Sequence, residues 1–421
     1  MTTAGSTEGE EGEKRFRRGT HRIATPAETL ARIAPAARKL GISRVANLTG
    51  LDVIGIPVVA VMRPNARSLA VAQGKGCDLV SAKVSGLMES IENHHAENVC
   101  QPLLLDSERR IRERGGNLLE VTRLPRSSGG SYQPDDKILW LEGHNMLGKT
   151  DDRSSRKIWL PFEVVHADYT PPLATCSGAF QMSDSGVASG NHPLEAVSHA
   201  LCELVERDAV TLWQFKGGQD QIEGRVDLRT VDDDACRWAL NKFAAASVDV
   251  AVWEITSDVG IPAFICQIID HEPNPWRPLG VAGGAGCHPA REVALVRALT
   301  EAAQARLTII AGSRDDLSLA IYDRGRDGEE VARARAVMAH APMHPFGAAP
   351  THDGSNIKDD VAWELERLAH AGIEQAVVVD LTVAESREIG VAVVRVVVPG
   401  LEGMADAPGF VPGDRLRKQV A

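Results

Sequence analysis

Apolar positions along this chain follow two rhythms, and the points where they change mark out its elements. A helical rhythm runs over about 26–41, 78–100, 192–215, 289–311 and 357–371. In the second of these, Val80, Val84, Leu87, Met88 and Ile91 gather on one side, the stripe that an amphipathic helix buries. Short continuous apolar runs at 53–62, 138–141, 158–160, 248–255, 261–269, 374–380 and 391–398 read as buried strands. Gly74-Lys75-Gly76 punctuates the chain. The glycine cluster at 280–286 reads as a turn, and the Ser/Gly-rich segment 176–191 as a lead-in to the third helix. Helices and strands mix without regular alternation, so an α+β fold is expected rather than a doubly wound sheet. No solenoid repeat is visible.

Composition narrows this picture. A chain of 421 residues that is 43% hydrophobic can bury a large core. Length alone suggests two or three units, or one elaborated domain. Residues 1–14 hold little that is apolar, so a disordered tail over 1–20 is expected, with 21–421 as a single domain. The net charge of −11 argues against general binding to nucleic acid or an anionic membrane. No window is long and apolar enough to span a bilayer, and the N-terminal residues lack a signal core. A cytoplasmic location follows as the expectation. The seven cysteines form no CxxC pair and read as reduced, buried residues. Cys176 and Cys287, near the helices described next, are candidates for sulfur relay. His94 and His95 point about 100° apart on a helix and read as surface or core residues.

Three of the helices carry polar side chains at i, i+4, i+7: Ser85, Glu89 and Glu92; His199, Glu203 and Glu206, with Glu195 a turn and more before; and Arg297, Glu301 and Gln304. This spacing stacks side chains on one face. On the second helix, Leu194, Val197, Leu201 and Val205 lie opposite the carboxylates, which also describes an ordinary solvent-facing stripe. Yet no lysine at helical spacing relieves its stacked glutamates, and bound cations would. The third helix is apolar nearly all round, so Glu301 and Gln304 are expected in low dielectric. A carboxylate there needs a partner such as Arg297 or a metal. Oxygen donors without a Cys or His cluster suit magnesium–nucleotide better than zinc. No Walker A motif is present, and GKGCD at Gly74 does not supply one.

The segments SGLMESIEN (85–93), GNHPLEAVSHALCELVERDA (190–209) and RALTEAAQAR (297–306) resemble the SxxxExxE, N-x(3)-E-x(7)-E-x-x-E-R and ExxQxR motifs of the YcaO proteins. Asn93 departs from the arginine often found at its position. RGTHR (18–22), 40–64, SRDD (313–316) and VVRVVVPGLE (393–402) also look like family segments, with the core motifs lying within 74–402. RGTHR, SRDD and PGLE look most like the branch that works with TfuA-type partners. The resemblance implies a YcaO-like fold, mixed and antiparallel sheets with long helices around a central ATP site. It implies ATP and Mg2+ as cofactors and a homodimer. Carried over position by position, it makes Ser85, Glu89, Asn191, Arg207 and Gln304 ATP-binding residues. Glu89, Glu92, Glu195, Glu203, Glu206 and Glu301 become metal-binding. Arg207, Arg306 and Arg314 are the candidates for catalysis, where a guanidinium would offset phosphate charge.

The implied reaction is phosphorylation of a peptide backbone amide oxygen by ATP, followed by attack of a nucleophile and loss of phosphate. Such transfer needs mainly positioning and charge neutralisation. Many azoline-forming members carry a proline-rich PxPxP tail, whereas this chain reads GFVPGDRLRKQVA at 409–421. The expectation is therefore a thioamide synthetase acting on a peptide or protein substrate, with sulfide or a sulfur carrier as donor and a TfuA-like partner. An azoline-forming cyclodehydratase and a non-catalytic nucleotide-binding scaffold are the rival readings.

Overall fold

The computed structural model describes residues 12–148, 157–217, 222–272, 274 and 276–420. The chain enters through α1 (Pro26–Ile33), fixed at its start by a capping box between Thr25 and Glu28 and by Pro26 in its first turn. An antiparallel meander follows: β1 (Arg44–Asn47), β2 (Val58–Met62) and β3 (Val71–Lys75). It runs into α2 (Leu79–Glu97), whose N-cap Asp78 accepts from the Ser81 amide. Next come β4 (Leu104–Asp106), β5 (Ile138–Asn145), β6 (Lys157–Pro161), β7 (Val187–Gly190) and α3 (Pro193–Lys216). A second antiparallel meander, β8 (Val248–Glu254), β9 (Ala263–Asp270) and β10 (Ala282–Cys287), runs into α4 (Arg291–Ala311). The last main elements are α5 (Ile357–His370), β11 (Val377–Asp380), β12 (Ala392–Val397) and α6 (Asp414–Val420), which packs on α3.

The large sheet has the order β4-β5-β11-β12-β7, with β6 added on β5, and its pairings are antiparallel. The architecture is thus the expected α+β, with antiparallel sheets and long helices. α2 and the large sheet share one core around Ile91, Leu119, Trp140 and Val393. α3 packs a second core with Trp253, Val361 and Val396. α4 and the second meander build a third around Phe243, Phe264 and Leu299.

The two meander–helix units repeat one plan. A Cβ on Gly74 in β3 would collide with the backbone of Ala82 and Gly86 in α2. A Cβ on Gly286 in β10 would collide with the backbone of Ala294 and Ala298 in α4, at the same two offsets along the chain. Glycine is needed at both because the helix lies backbone against backbone on the strand.

This plan corrects several expectations. The glycine cluster 280–286, read as a turn, is mostly the strand β10. Residues 71–75, around the punctuating Gly74, are β3. The strand read over 53–62 begins only at Val58, and the first helix ends at Ile33 rather than near 41. Of the tail expected over 1–20, residues 1–11 lie outside the described residues. Residues 12–20 are not free: the Lys14 ammonium pairs with Asp360 at 2.6 Å, both side chains fully buried. No helix among the described residues is long and apolar enough to cross a membrane.

Candidate functional site

A cavity of about 800 Å3 lies between α2, α3 and α4. β3 and the segment Arg18–Ala24 complete its walls. Ser85, Glu89, Glu92, Asn191, Glu195, Glu203, Glu206, Arg207, Glu301, Gln304 and Arg314 all line it. The stripes on three helices therefore face one space. On α3 the carboxylates do not look into solvent: Glu195 and Glu206 are 1% and 3% exposed.

A single local rule sets the carboxylates in place. Each is fixed by a backbone amide of a strand or loop beside its helix. The Gln73 amide donates to Glu89 Oε1 at 3.3 Å and the Ser189 amide to Glu92 Oε1 at 2.7 Å. Gly186 N donates to Glu203 Oε2 at 3.1 Å, Cys287 N to Glu206 Oε2 at 3.0 Å and Ala285 N to Glu301 Oε1 at 3.3 Å. With one oxygen held this way, the second oxygen of each is left for another partner, and the side-chain entropy of a free glutamate is already spent.

Charge is distributed unevenly over this frame. Burial pushes Glu89 up to about 7 and Glu92 up to about 8. Glu203 is raised by burial, and Glu206 by burial and the neighbouring Glu301. Glu301 behaves oppositely. Burial favours its neutral form, but the Lys75 ammonium, with Nζ at 2.8 Å from Oε2, and Arg207 outweigh that and hold it below the usual carboxylate range. The partner expected for Glu301 was a group such as Arg297 or a metal. The structure gives that place to Lys75, while Arg297 Nη1 sits 3.2 Å from His199 Nδ1.

Other expectations are refined. Glu195 accepts from the amides of Ile23 at 2.6 Å and Asn191 at 2.7 Å and from Asn191 Nδ2, so it ties the N-terminal segment to α3. The Asn191 side chain also accepts from Thr29 Oγ1 and Arg32, which binds α1 to the same corner. Arg207 Nη2 lies 3.5 Å from Glu203 and Nη1 3.8 Å from Glu206. Arg314 pairs with Asp316 at the cavity edge. Arg306 does not reach the cavity. Its side chain is 2% exposed and is held by Asp52 at 2.9 Å and Asp270 at 2.8 Å, so it serves as a structural ion-pair member and not as a catalytic group. Cys287 is fully buried and Cys176 lies elsewhere, and neither lines the cavity, which removes both as sulfur relays there. His95 is buried and His94 partly so. Sequence reading missed Arg18, Arg22, Lys75 and Asp184, all of which line the cavity. The RGTHR and GKGCD runs carried the signal for the first three.

The donor set suits a hard cation held together with phosphate. It is all oxygen, the nine carboxylates that line the cavity outnumber its six lysine and arginine side chains, and Gln304 Oε1 is buried with no protein partner. Among the described residues no three His, Cys, Asp or Glu side chains come close enough to hold a metal ion alone. Magnesium ordinarily takes one or two carboxylates and completes its shell with phosphate oxygens and water, which this arrangement allows.

Comparisons with known proteins place the chain in a family. Residues 73–402 match the family model described as YcaO cyclodehydratase, ATP- and Mg2+-binding. A Rhizobium leguminosarum bv. trifolii protein, described as an uncharacterized protein in the tfuA 3′ region, is 37% identical over 394 residues, covering 90% of this chain and 88% of its own length. A Methanothermobacter thermautotrophicus protein is 33% identical over 399 residues, 94% of this chain and 98% of that one. The fold is similar to that of a YcaO from Methanopyrus kandleri bound with AMPPCP and Mg2+, with a TM-score of 0.70, 21% identity, and coverage of 96% of this chain and 100% of that one. It is also similar to a heterocyclase in complex with substrate and cofactor, with a TM-score of 0.71, 21% identity and coverage of 93% of this chain. The chain spans 55% of that heterocyclase's length.

Proposed function

This chain belongs to the YcaO family of ATP- and Mg2+-binding, peptide-modifying enzymes, and we propose that it is a thioamide synthetase acting on the backbone of a ribosomally made peptide or protein. The reading rests on one observation above the rest: three glutamate-bearing helices and their neighbouring cations meet in one cavity of nucleotide size. Carboxylates drawn singly or in pairs from Glu89, Glu92, Glu203 and Glu206 would hold Mg2+ together with phosphate oxygens, and Ser85, Asn191 and Gln304 would meet the polar groups of the nucleotide. Bound magnesium supplies neutralisation of phosphate charge. Arg207 stands beside Glu203 and Glu206 and would hold the transferring phosphoryl group in line with the amide oxygen. Arg314 would close the same side. Walls pinned by backbone amides keep these groups oriented before any ligand arrives.

In balance, the amide oxygen takes the γ-phosphoryl group of ATP, sulfide adds to the activated carbon, and phosphate leaves with the former amide oxygen. The choice of sulfide is supported by the Rhizobium relative described from the tfuA 3′ region and by the RGTHR, SRDD and PGLE segments. A TfuA-like partner would present the substrate or the sulfur, the latter as free sulfide or from a carrier protein. The description of the matching family as cyclodehydratases favours azoline formation as the second reading.

Mass spectrometry of a peptide incubated with the enzyme, ATP, sulfide and the partner separates these readings. A gain equal to the difference between sulfur and oxygen is expected. Loss of one water would establish the azoline reading instead. A protein that bound nucleotide yet turned over no ATP with substrate and partner present would be a scaffold.

A further inference from the structure

A second, smaller cavity of about 50 Å3 opens beside the large one, and the two share Arg207 and Met404. Its walls are mainly apolar, with Leu124, Val164, Leu204 and Leu401 among them. The wall that carries Met404 is fixed. Gln181 clamps the Met404 backbone from both sides, accepting from its amide at 3.0 Å and donating to its carbonyl at 3.0 Å. Asp208 accepts the Glu402 amide at 2.9 Å.

Two guanidiniums face this apolar space. Arg395 on β12 is only 4% exposed and donates from Nη1 to the Ser183 carbonyl at 2.8 Å. Its Nε is buried with no protein acceptor, and so is the Nε of Arg207. Both guanidiniums line the pocket, so an acceptor that entered it from outside would meet them in surroundings where a hydrogen bond to a charged donor is strong. The surroundings say which kind. A free anion would be poorly served by walls that are mainly hydrocarbon and include the Glu402 carboxylate. A peptide segment supplies both parts at once, an amide carbonyl for the guanidiniums and an aliphatic side chain for the walls. The volume is several times the roughly 10–15 Å3 that one water needs, which leaves room for a small aliphatic side chain and none for an indole.

We infer that this pocket is the substrate subsite: it takes a small aliphatic side chain next to the amide that reacts, and Arg395 holds the peptide carbonyl at its mouth. Arg395 is thereby a specificity and positioning residue at the junction with the nucleotide cavity. This rests on the peptide-modifying reading above, and the pocket's shared edge with the glutamate cavity places the held amide beside the phosphoryl donor.

The test uses the full-length protein with Mg2+ and a non-hydrolysable ATP analogue. The probes are N-acetyl-valine methylamide and N-acetyl-tryptophan methylamide, followed by saturation-transfer NMR. The valine methyls should receive saturation and the tryptophan ring should not. Leu204→Phe should abolish the valine signal while nucleotide affinity, measured by calorimetry, stays within about twofold, since the substitution fills only the smaller cavity. Arg395→Lys should weaken the valine probe at least about fivefold, as a planar guanidinium that bonds Ser183 and a peptide carbonyl together is not replaced by an ammonium. If Leu204→Phe does not fold, Leu401→Phe on the same pocket gives the equivalent readout. An unsaturated valine probe with wild-type protein, or a signal unchanged by filling the pocket, overturns the proposal. If the valine signal depends on the pocket but the analogue does not bind, the subsite stands and the nucleotide reading falls.

Discussion

The two meander–helix units have the same backbone plan and opposite electrostatics. In the first, Gln73 of β3 holds Glu89 of α2. In the second, Ala285 of β10 holds Glu301 of α4, and both pairs are 16 residues apart in sequence. On that register Ser85 corresponds to Arg297 and Glu92 to Gln304. Burial drives Glu89 and Glu92 toward the neutral form, and neither makes an ion pair among the described residues. Glu301 is kept ionised by Lys75, which reaches across from β3 of the first unit. One scaffold used twice thus yields a carboxylate pair that lacks a cation and a carboxylate that already has one. On the proposed function this difference assigns magnesium to the α2–α3 side, while Glu301 on α4 gives one oxygen to Lys75 as a strut between the units.

The largest effect should come from removing carboxylates on the deficient side. Glu206→Ala and Glu92→Gln are expected to lower ATP turnover about a hundredfold or more, the scale of losing one preorganised electrostatic partner. The melting temperature of Glu92→Gln without ligand should not fall, because Gln keeps an acceptor for the Ser189 amide and removes a carboxylate whose ionisation opposes folding, whereas Glu206→Ala leaves the Cys287 amide without its acceptor and should cost about 1–3 kcal/mol. ADP release and thermal unfolding measure the two sides. Wild-type turnover in either variant would remove that residue from the site.

The shared plan can be tested next. Gly74→Ala and Gly286→Ala each force a methyl into helix backbone, and each should cost about 3 kcal/mol in urea unfolding. The two losses should be alike. A large loss at one position and none at the other would show that the units are not packed by the same rule.

The sequence revealed the helices of this frame better than its strands, for a physical reason. α2, α3 and α4 announce themselves because apolar residues recur at helical spacing and the glutamates fall on one face. β3 and β10 escape notice because the property that makes them useful is the lack of a side chain. Gly74, Gly284 and Gly286 let the helix backbone approach, and a run such as AGGAGC carries no β-branched or aromatic signal. Lys75 was hidden for the same reason, read as part of a glycine turn when it is the last residue of a strand. Arg306 shows the converse. Its motif position was plain, but only the folded chain brings Asp52 and Asp270 from distant segments to hold it. Motif spacing identifies which residues share a helix face. It does not say which long side chains turn away to a partner elsewhere.

The smallest effect, and the most direct test of the contrast, is the change that Lys75→Met makes in the pH dependence of nucleotide-free protein kept in chelator. Glu89 and Glu92 have folded values of about 7 and 8, against roughly 4.3 in an unfolded chain. Between those limits the folded state holds protons that the unfolded state has released. Stability therefore falls as pH rises toward 8, by up to about 1.4 kcal/mol per pH unit for each proton held. Glu301 acts with the other sign. Its folded value is depressed, so its contribution is present above the unfolded value and is lost as pH falls through the folded one. Lys75→Met removes the ammonium and should convert Glu301 to the behaviour of Glu89. The expected cost at pH 8 is about 1 kcal/mol, modest because both partners are partly open to the cavity. The fall in stability between pH 5 and 8 should steepen, and adding Glu301→Gln should bring it back to that of the wild type. Glu92→Gln in the wild-type background should flatten it. Unfolding free energies at pH 5 and 8 for these variants decide the matter: if Lys75→Met leaves the dependence on pH unaltered, the lysine does not hold Glu301, and the two units do not differ in the way their geometry indicates.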